Sequence, residues 1–273
     1  MKFYKMNGAG NAFVIFDARR EKLDLTPERI REIASPTTGA GADQVMSMEP
    51  SLRGDVFMRI WNSDGGEVEA CGNATRCVGW LLMEETKAPT VTIETAAGRL
   101  SASRAGPATI SVDMGSPLLK WEEIPLAERM DTRGIDLKVG PIDKPFLQLP
   151  GCVNMGNPHV VFFVPDVMAI DVAAVGSMLE HHPLFPQGVN VGFAEVKTQR
   201  HIRLRVWERG AGLTMACGTG ACAAVVAGNR KGVVDRKATV TMDGGDLHIH
   251  WREDTDHVIL TGPIELEYEQ ELS

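Results

Sequence analysis

An internal repeat sets the terms on which this chain can fold. Glu69-Ala70-Cys71-Gly72-Asn73-Ala74 is echoed by Met215-Ala216-Cys217-Gly218-Thr219-Gly220, with the cysteines 146 residues apart. At the same offset Met58-Arg59-Ile60-Trp61-Asn62 matches Leu204-Arg205-Val206-Trp207-Glu208, and Gly66 matches Gly212. Gly10-Asn11-Ala12-Phe13-Val14-Ile15-Phe16 matches Gly156-Asn157-Pro158-His159-Val160-Val161-Phe162, and Gln44-Val45 matches Asn190-Val191. Chance can supply one such match, but four in one register require a duplicated unit. A duplicated unit folds as two similar halves related by a pseudo-twofold axis. That symmetry leads to the expectation that Cys71 and Cys217 face each other across the axis, on opposite sides of one substrate carbon.

The expected architecture is α+β (α/β), with each half a curled, antiparallel-rich sheet around a central helix. The predicted halves are residues 1–117 plus 263–273, carrying Cys71, and residues 118–262, carrying Cys217. Predicted strands cover 2–4, 13–17, 45–48, 55–61, 91–94, 100–103 and 110–113, then 146–149, 159–164, 202–207, 240–242, 247–251, 258–260 and 264–268. Thr26-Pro27 reads as an N-cap and first helical residue, opening a helix to about Ala34. Further helices are predicted from Cys71-Gly72 to about Met83, at about 169–180 and at about 219–230. The Cys-Gly pair are the strongly apolar ones, as central helices should be. Gly8-Ala9-Gly10 lacks the spacing of a nucleotide-binding loop and reads as a turn.

Composition excludes several roles. With 28 Lys and Arg against 36 Asp and Glu, the net charge is −8 and no basic face invites nucleic acid or an anionic membrane. The longest apolar stretch, Val160–Val164, stops at Pro165 and is too short to span a bilayer. No secretory pattern is visible at the N-terminus, and five cysteines is an odd number, so reduced thiols in a cytoplasmic protein are expected.

Both repeat cysteines immediately precede a glycine and a predicted helix start. Helix N-termini present unpaired N–H groups and positive potential, which should stabilise a thiolate. The same amides can hold a carboxylate, with Gly72 and Gly218 allowing close approach. Sulfur on both faces of an α-carbon suits proton removal on one face and return on the other, the chemistry of a cofactor-independent racemase or epimerase. A single Cys-Gly is as readily explained by core packing. A zinc site from Cys71, Cys77, Cys217 and Cys222 is disfavoured, because about 100° per residue turns Cys77 and Cys222 away from their partners. No metal is expected. Cys-x-x-Cys is absent, although a disulfide between the repeat cysteines remains open as a redox reading.

Places where the repeat loses its symmetry mark one-sided contacts. Phe13 corresponds to His159, Asn62 to Glu208 and Ser63 to Arg209. His159 and Glu208 can exchange protons with the thiols, and Arg209 can grip a second carboxylate bidentately. Asn11, Gln44, Asn62, Asn157 and Asn190 supply uncharged donors and acceptors suited to a zwitterionic amino acid.

These motifs resemble the diaminopimelate epimerase family along the whole chain. The carriers are Gly10-Asn11-x-Phe13-Val14, Glu67-x-Glu69-x-Cys71-Gly72-Asn73-x-x-Arg76-Cys77, Gly156-Asn157-Pro158-His159, Gly188-Val189-Asn190-Val191, and Trp207-Glu208-Arg209-Gly210 leading to Ala216-Cys217-Gly218-Thr219-Gly220. The resemblance implies cofactor-free, two-base conversion of LL-2,6-diaminopimelate to the meso form in lysine and peptidoglycan-precursor synthesis. Cys217 would be the base and Cys71 the acid, supported by His159 and Glu208. Asn11, Gln44, Asn62, Gly72, Asn73, Asn157, Asn190, Glu208, Arg209, Gly218 and Thr219 would hold the ligand. The last strand would return to the first half, and Tyr268 would join a homodimer contact. Asn7, Ala12 and Met242-Asp243 depart from the usual family pattern, which puts the local geometry of Asn7–Ala12 in question. The alternatives are a proline- or hydroxyproline-type racemase, which usually has histidine where Asn73 stands, and a non-catalytic thiol redox or binding protein.

Overall fold

The computed structural model describes residues 2–68 and 71–271; Glu69 and Ala70 of the first motif lie outside that range. The chain divides into two compact units, one running to Met114 and resuming at Thr261, the other Gly115–Leu260.

The first unit begins with the hairpin β1 (Lys2–Gly8) and β2 (Asn11–Asp17). Its tight turn needs left-handed backbone at Ala9 and Gly10, φ 56° and 87°. Asn7 Oδ1 closes it by accepting Gly10 N–H at 2.9 Å. Helix α1 (Pro27–Ala34) starts where the Thr26-Pro27 signal puts it, with Thr26 Oγ1 accepting Arg29 N–H. It connects β2 to the parallel strand β3 (Gln44–Glu49), which pairs antiparallel with β4 (Val56–Asn62). A short ribbon, β5 (Glu67–Val68), leads to α2 (Gly72–Thr86). Strands β6 (Thr90–Thr95), β7 (Gly98–Gly106) and β8 (Thr109–Asp113) follow, β6 lying parallel to β4.

Period-2 alternation divides this sheet between two helices. Phe13, Ile15, Met46, Met58 and Ile60 pack with α2 residues Val78 and Leu82, whereas Val14, Phe16, Val45 and Trp61 pack with α1 residues Ile30 and Ala34. Two-sided burial explains why β2 and β3 read as nearly continuous apolar runs. Helix α2 is buried almost all round and sits close to β7, since a Cβ on Gly79 would lie 2.6 Å from that of Ala102. Truncating Leu82 in such a core to alanine costs about 2–5 kcal/mol.

The second unit repeats the plan after an insertion. Residues 115–150 carry only the two-stranded β9 (Lys138–Val139) and β10 (Leu147–Gln148), so the strand expected at 146–149 is a two-residue rung. Then come β11 (Gly151–Asn154), β12 (Pro158–Phe163), α3 (Val172–Glu180), β13 (Asn190–Thr198), β14 (His201–Glu208), β15 (Gly212–Thr214), α4 (Gly218–Arg230), β16 (Lys237–Met242), β17 (Gly245–Trp251) and β18 (Val258–Pro263). The helix expected from 169 begins at Val172, because Asp171 caps it by accepting Ala174 N–H, and Val167–Ala169 forms a separate 3-10 turn. Strand β13 was not anticipated as a strand.

Pairing senses coincide in the two units: antiparallel, parallel, antiparallel, parallel, antiparallel along β1-β2-β3-β4-β6-β7 and β11-β12-β13-β14-β16-β17. Register is conserved at the centre: Phe13 faces Gln44 and His159 faces Asn190, Val45 faces Trp61 and Val191 faces Trp207. Helix α3 takes the place of α1, packing with Val160, Val191 and Trp207, and α4 takes that of α2. The last strand, β19 (Glu265–Glu271), pairs antiparallel with β1 inside the first unit. Tyr268 on β19 is 42% exposed, and its ring meets Phe3 edge-on at 6.3 Å.

Candidate active site

Each repeat cysteine is the N-cap of its unit's central helix. Cys71 has φ −147° and ψ 113°, and Cys217 has −131° and 107°, both extended, so each helix begins at the following glycine. The strand ends beside these helix starts carry the predicted polar set.

In the first unit Asn73, on the first turn of α2, donates to Asn11 Oδ1 at 2.5 Å and accepts from Arg76 at 2.9 Å. Arg76 is fully buried, as is Asn73 but for 1% of its surface. Gln44 Nε2 donates to Asn62 Oδ1 at 2.9 Å across the β3–β4 pair. The sequence candidates Asn11, Gln44, Asn62, Gly72 and Asn73 thus form two linked pairs plus the glycine of the helix start.

In the second unit Glu208 ends β14 and reaches the α4 start. Cys217 Sγ donates to Glu208 Oε2 at 2.9 Å, and Thr214 Oγ1 donates to Oε1 at 2.5 Å. The sulfur accepts Gly220 N–H at 3.3 Å and lies 3.6 Å from Thr219 Oγ1. The backbone N–H of Cys217 donates to Met242 Sδ at 3.3 Å, which gives one of the departing residues a defined place. Its neighbour Asp243 is bound by Arg203 and Arg205. Thr214 and Met242 were missed because a threonine or methionine in a strand carries no signal of such a contact.

The expectation of a depressed thiol pKa fails at Cys217. Burial drives this thiol well above its usual value, the adjacent Glu208 carboxylate adds to the rise, and bonds from Thr219 and Gly220 only partly oppose it. Burial likewise raises Glu208, offset in part by its bonds from Cys217 and Thr214. A helix end contributes a fraction of a unit charge, which is less than the desolvation of a buried thiolate beside a carboxylate. In this form the proton stays on sulfur. Cys77 and Cys152 are also pushed up to about 12 by burial, as inert packing thiols should be.

His159 is 1% exposed, opposite Asn190 in the β12–β13 register, with Nε2 2.9 Å from Asn157 Oδ1. Burial, then the positive charge of Arg209, lower its pKa to about 3, so the ring is neutral near pH 7. Asn190 Nδ2 donates to Pro158 O at 2.8 Å, while its Oδ1 accepts Arg209 N–H at 3.0 Å. Arg209 Nη1 donates to Gln187 O at 2.8 Å. The second-unit candidates Asn157, His159, Asn190, Glu208, Arg209, Cys217, Gly218 and Thr219 therefore gather at the same ends of β12, β13 and β14 and at the start of α4. Among the described residues no group of three or more His, Cys, Asp or Glu side chains could hold a metal ion, and no helix is long and apolar enough to cross a membrane.

The diaminopimelate epimerase family model matches residues 3–120 and 151–267, both halves with their cysteines, and skips most of the insertion. The chain belongs to the diaminopimelate epimerase family. Curated members of that family agree over nearly full length. The diaminopimelate epimerase of Caulobacter vibrioides is 55% identical, covering 97% of this chain and 95% of that protein. That of Phenylobacterium zucineum is 54% identical, covering 99% and 97%. Among solved structures, a hydroxyproline epimerase from Agrobacterium vitis superposes with a TM-score of 0.70 at 16% identity, covering 100% of this chain and 90% of that one. A predicted epimerase from Pseudomonas aeruginosa does so with 0.68 at 16%, covering 99% and 98%. At such identities the likeness shows a shared fold alone. The chain is an isomerase.

Proposed function

We propose that the protein interconverts LL- and meso-2,6-diaminopimelate by inverting one α-carbon between two thiols, Cys217 and Cys71. The observation that carries this reading is the placement of both cysteines as N-caps of buried central helices, in a chain of the diaminopimelate epimerase family.

The 2.9 Å bond from Cys217 to Glu208 is the first step of the route. Glu208 takes the thiol proton, which its burial-raised pKa favours, and leaves a thiolate. The α-C–H bond breaks as an S–H bond forms on Cys217, while the S–H bond of Cys71 breaks as a new α-C–H forms on the other face. The reverse reaction exchanges the roles. Negative charge developing on the α-carboxylate is met by the N–H groups that follow Gly72 and Gly218, at the positive ends of α2 and α4. Asn11, Gln44, Asn62, Asn73, Asn157, Asn190 and Thr219 bind the zwitterionic head groups. Arg209 pairs the distal carboxylate, the chemical mark separating diaminopimelate from proline-type substrates. His159, held neutral, keeps one N–H and one lone pair, its Nε2 set against Asn157 Oδ1. The half-exposed Tyr268 belongs to a homodimer contact, for which sedimentation of the wild type against Tyr268→Ala is the check.

The deciding experiment is incubation of the reduced protein with LL-diaminopimelate in D2O, followed by NMR. Deuterium at one α-carbon together with meso product is the expected result. Exchange without inversion would mean one working base, and absence of both with folded, reduced protein would remove the reading.

A further inference from the structure

Glu180, the last residue of α3, is 7% exposed and stands outside every candidate named from the sequence. Its carboxylate bonds to both sides of the Glu208–Arg209 dipeptide. Oε2 accepts from Trp207 Nε1 at 2.7 Å, and Oε1 accepts from Gly210 N at 2.9 Å. Its backbone carbonyl accepts Val189 N–H at 3.0 Å, tying down the segment that contains Gln187 and Asn190, the residues that hold Arg209. One residue thus fixes both stretches of chain that fix the guanidinium.

The grip comes from behind the sheet. Trp207 faces α3, where a Cβ on Gly176 would lie 2.4 Å from its Cβ, while Glu208, next along the strand, turns to the opposite face and meets Cys217. A buried carboxylate is expensive unless bonded, and neutral N–H donors of an indole and a peptide do not demand a carboxylate to satisfy them. Two acceptor oxygens on one planar group do, however, fix the bearing of the strand end and of the turn together. The repeat supplies an internal control. Ala34, the last residue of α1, corresponds to Glu180, and there the turn beyond Asn62 is held by Arg31 donating to Asp64 O at 2.9 Å. Among the described residues the carboxylate clamp is seen in the half whose strand end carries Glu208 and Arg209, and not at Ala34 in the other.

We infer that Glu180 is a positioning residue of the active site, setting Glu208 against the Cys217 thiol and Arg209 against the distal carboxylate. The inference rests on the functional reading above. Ligand groups misplaced by an ångström can lose two orders of magnitude in rate. In Glu180→Ala, kcat/KM for diaminopimelate per folded molecule is expected to fall about 100-fold, through both kcat and KM. Glu180→Gln, isosteric and keeping one acceptor oxygen, should lose about tenfold, since one of the two bonds survives. Both variants are compared with wild type by steady-state kinetics, thermal melting and 1H-15N NMR, the Trp207 indole resonance being assigned with Trp207→Phe. The Trp207 indole and Gly210 amide protons should both move upfield in Glu180→Ala, as bonds to a charged acceptor are lost. Variants that melt lower but keep kcat/KM within threefold would reduce Glu180 to a stabilising residue and overturn the inference. Should Glu180→Ala fail to fold, Glu180→Gln decides by the same threshold. Wild-type protein without turnover would strike the functional reading instead, and in that event unmoved Trp207 and Gly210 resonances in the variants would overturn the clamp itself.

Discussion

Cys71 and Cys217 occupy one position of one repeat, with nearly the same backbone angles, yet their sulfurs live in different surroundings. Cys71 is half-buried and its side chain makes no capping bond to α2. Cys217 is 3% exposed, accepts Gly220 N–H and hands its own proton toward Glu208. Where Glu208 stands, the first half has Asn62, bonded to Gln44. Where neutral His159 stands, it has Phe13, buried against α2. The difference teaches that backbone placement and thiol reactivity are separately specified. The duplicated frame delivers two cysteines to two helix starts, and a few substitutions on the flanking strands then set the surroundings of each sulfur, raising the Cys217 thiol.

Substitution at the cysteines tests this contrast most severely. Cys71→Ala and Cys217→Ala should each lower kcat by at least about 1000-fold, as loss of either acid–base partner leaves inversion incomplete. Near-equal losses at two unlike thiols would show that both take part in the chemistry, while normal turnover in either variant would end the two-thiol mechanism. Glu208→Gln should cost about 100-fold, and unchanged turnover there would reduce the Cys217–Glu208 bond to packing.

His159 sharpens the comparison through pH. Its folded pKa of about 3 lies below the ordinary value of 6.5, so between those limits the unfolded chain binds a proton that the folded chain does not. Stability contributed by keeping this ring neutral is intact above pH 6.5 and falls as pH drops toward 3, by on the order of a few kcal/mol. Urea unfolding of wild type and His159→Phe, which installs the first half's residue, should show a steeper acid loss in wild type. Parallel curves would mean that His159 titrates as an exposed histidine does.

A smaller effect is expected in alkylation. Iodoacetamide should label Cys71 at least about tenfold faster than Cys217, because burial and the Glu208 charge suppress the second thiolate. Peptide mass spectrometry over a time course reads the ratio, and equal rates would dissolve the asymmetry.

Much of this was legible in the residues because duplication doubles the signal. The 146-residue offset put the two Cys-Gly helices and the strands before them in place, and it exposed Phe13/His159, Asn62/Glu208 and Ser63/Arg209 as informative mismatches. Ala34/Glu180 was a fourth mismatch at the same offset. It went unread because α1 and α3 differ in every capping residue, and the helix starting at Val172 had been drawn from 169. Strand β13 was overlooked although Asn190-Val191 had already been matched to Gln44-Val45, which open β3. Its glycine and its polar C-terminal half weaken the alternation that marks a strand. The acidity of Cys217 could not have been anticipated, since it depends on burial and on Glu208, Thr219 and Gly220 meeting its sulfur in space.

The pairing of β19 with β1 has a consequence for how the protein is made. Lys2 faces Glu271 across that pair, so β1 acquires its outer neighbour only from a strand that follows the whole of the second unit in the chain. The unit Gly115–Leu260 is continuous in sequence and can fold as soon as it emerges, whereas the unit begun first waits for the β19 strand made after it. Until then β1, paired with β2 on one side, offers its other edge open.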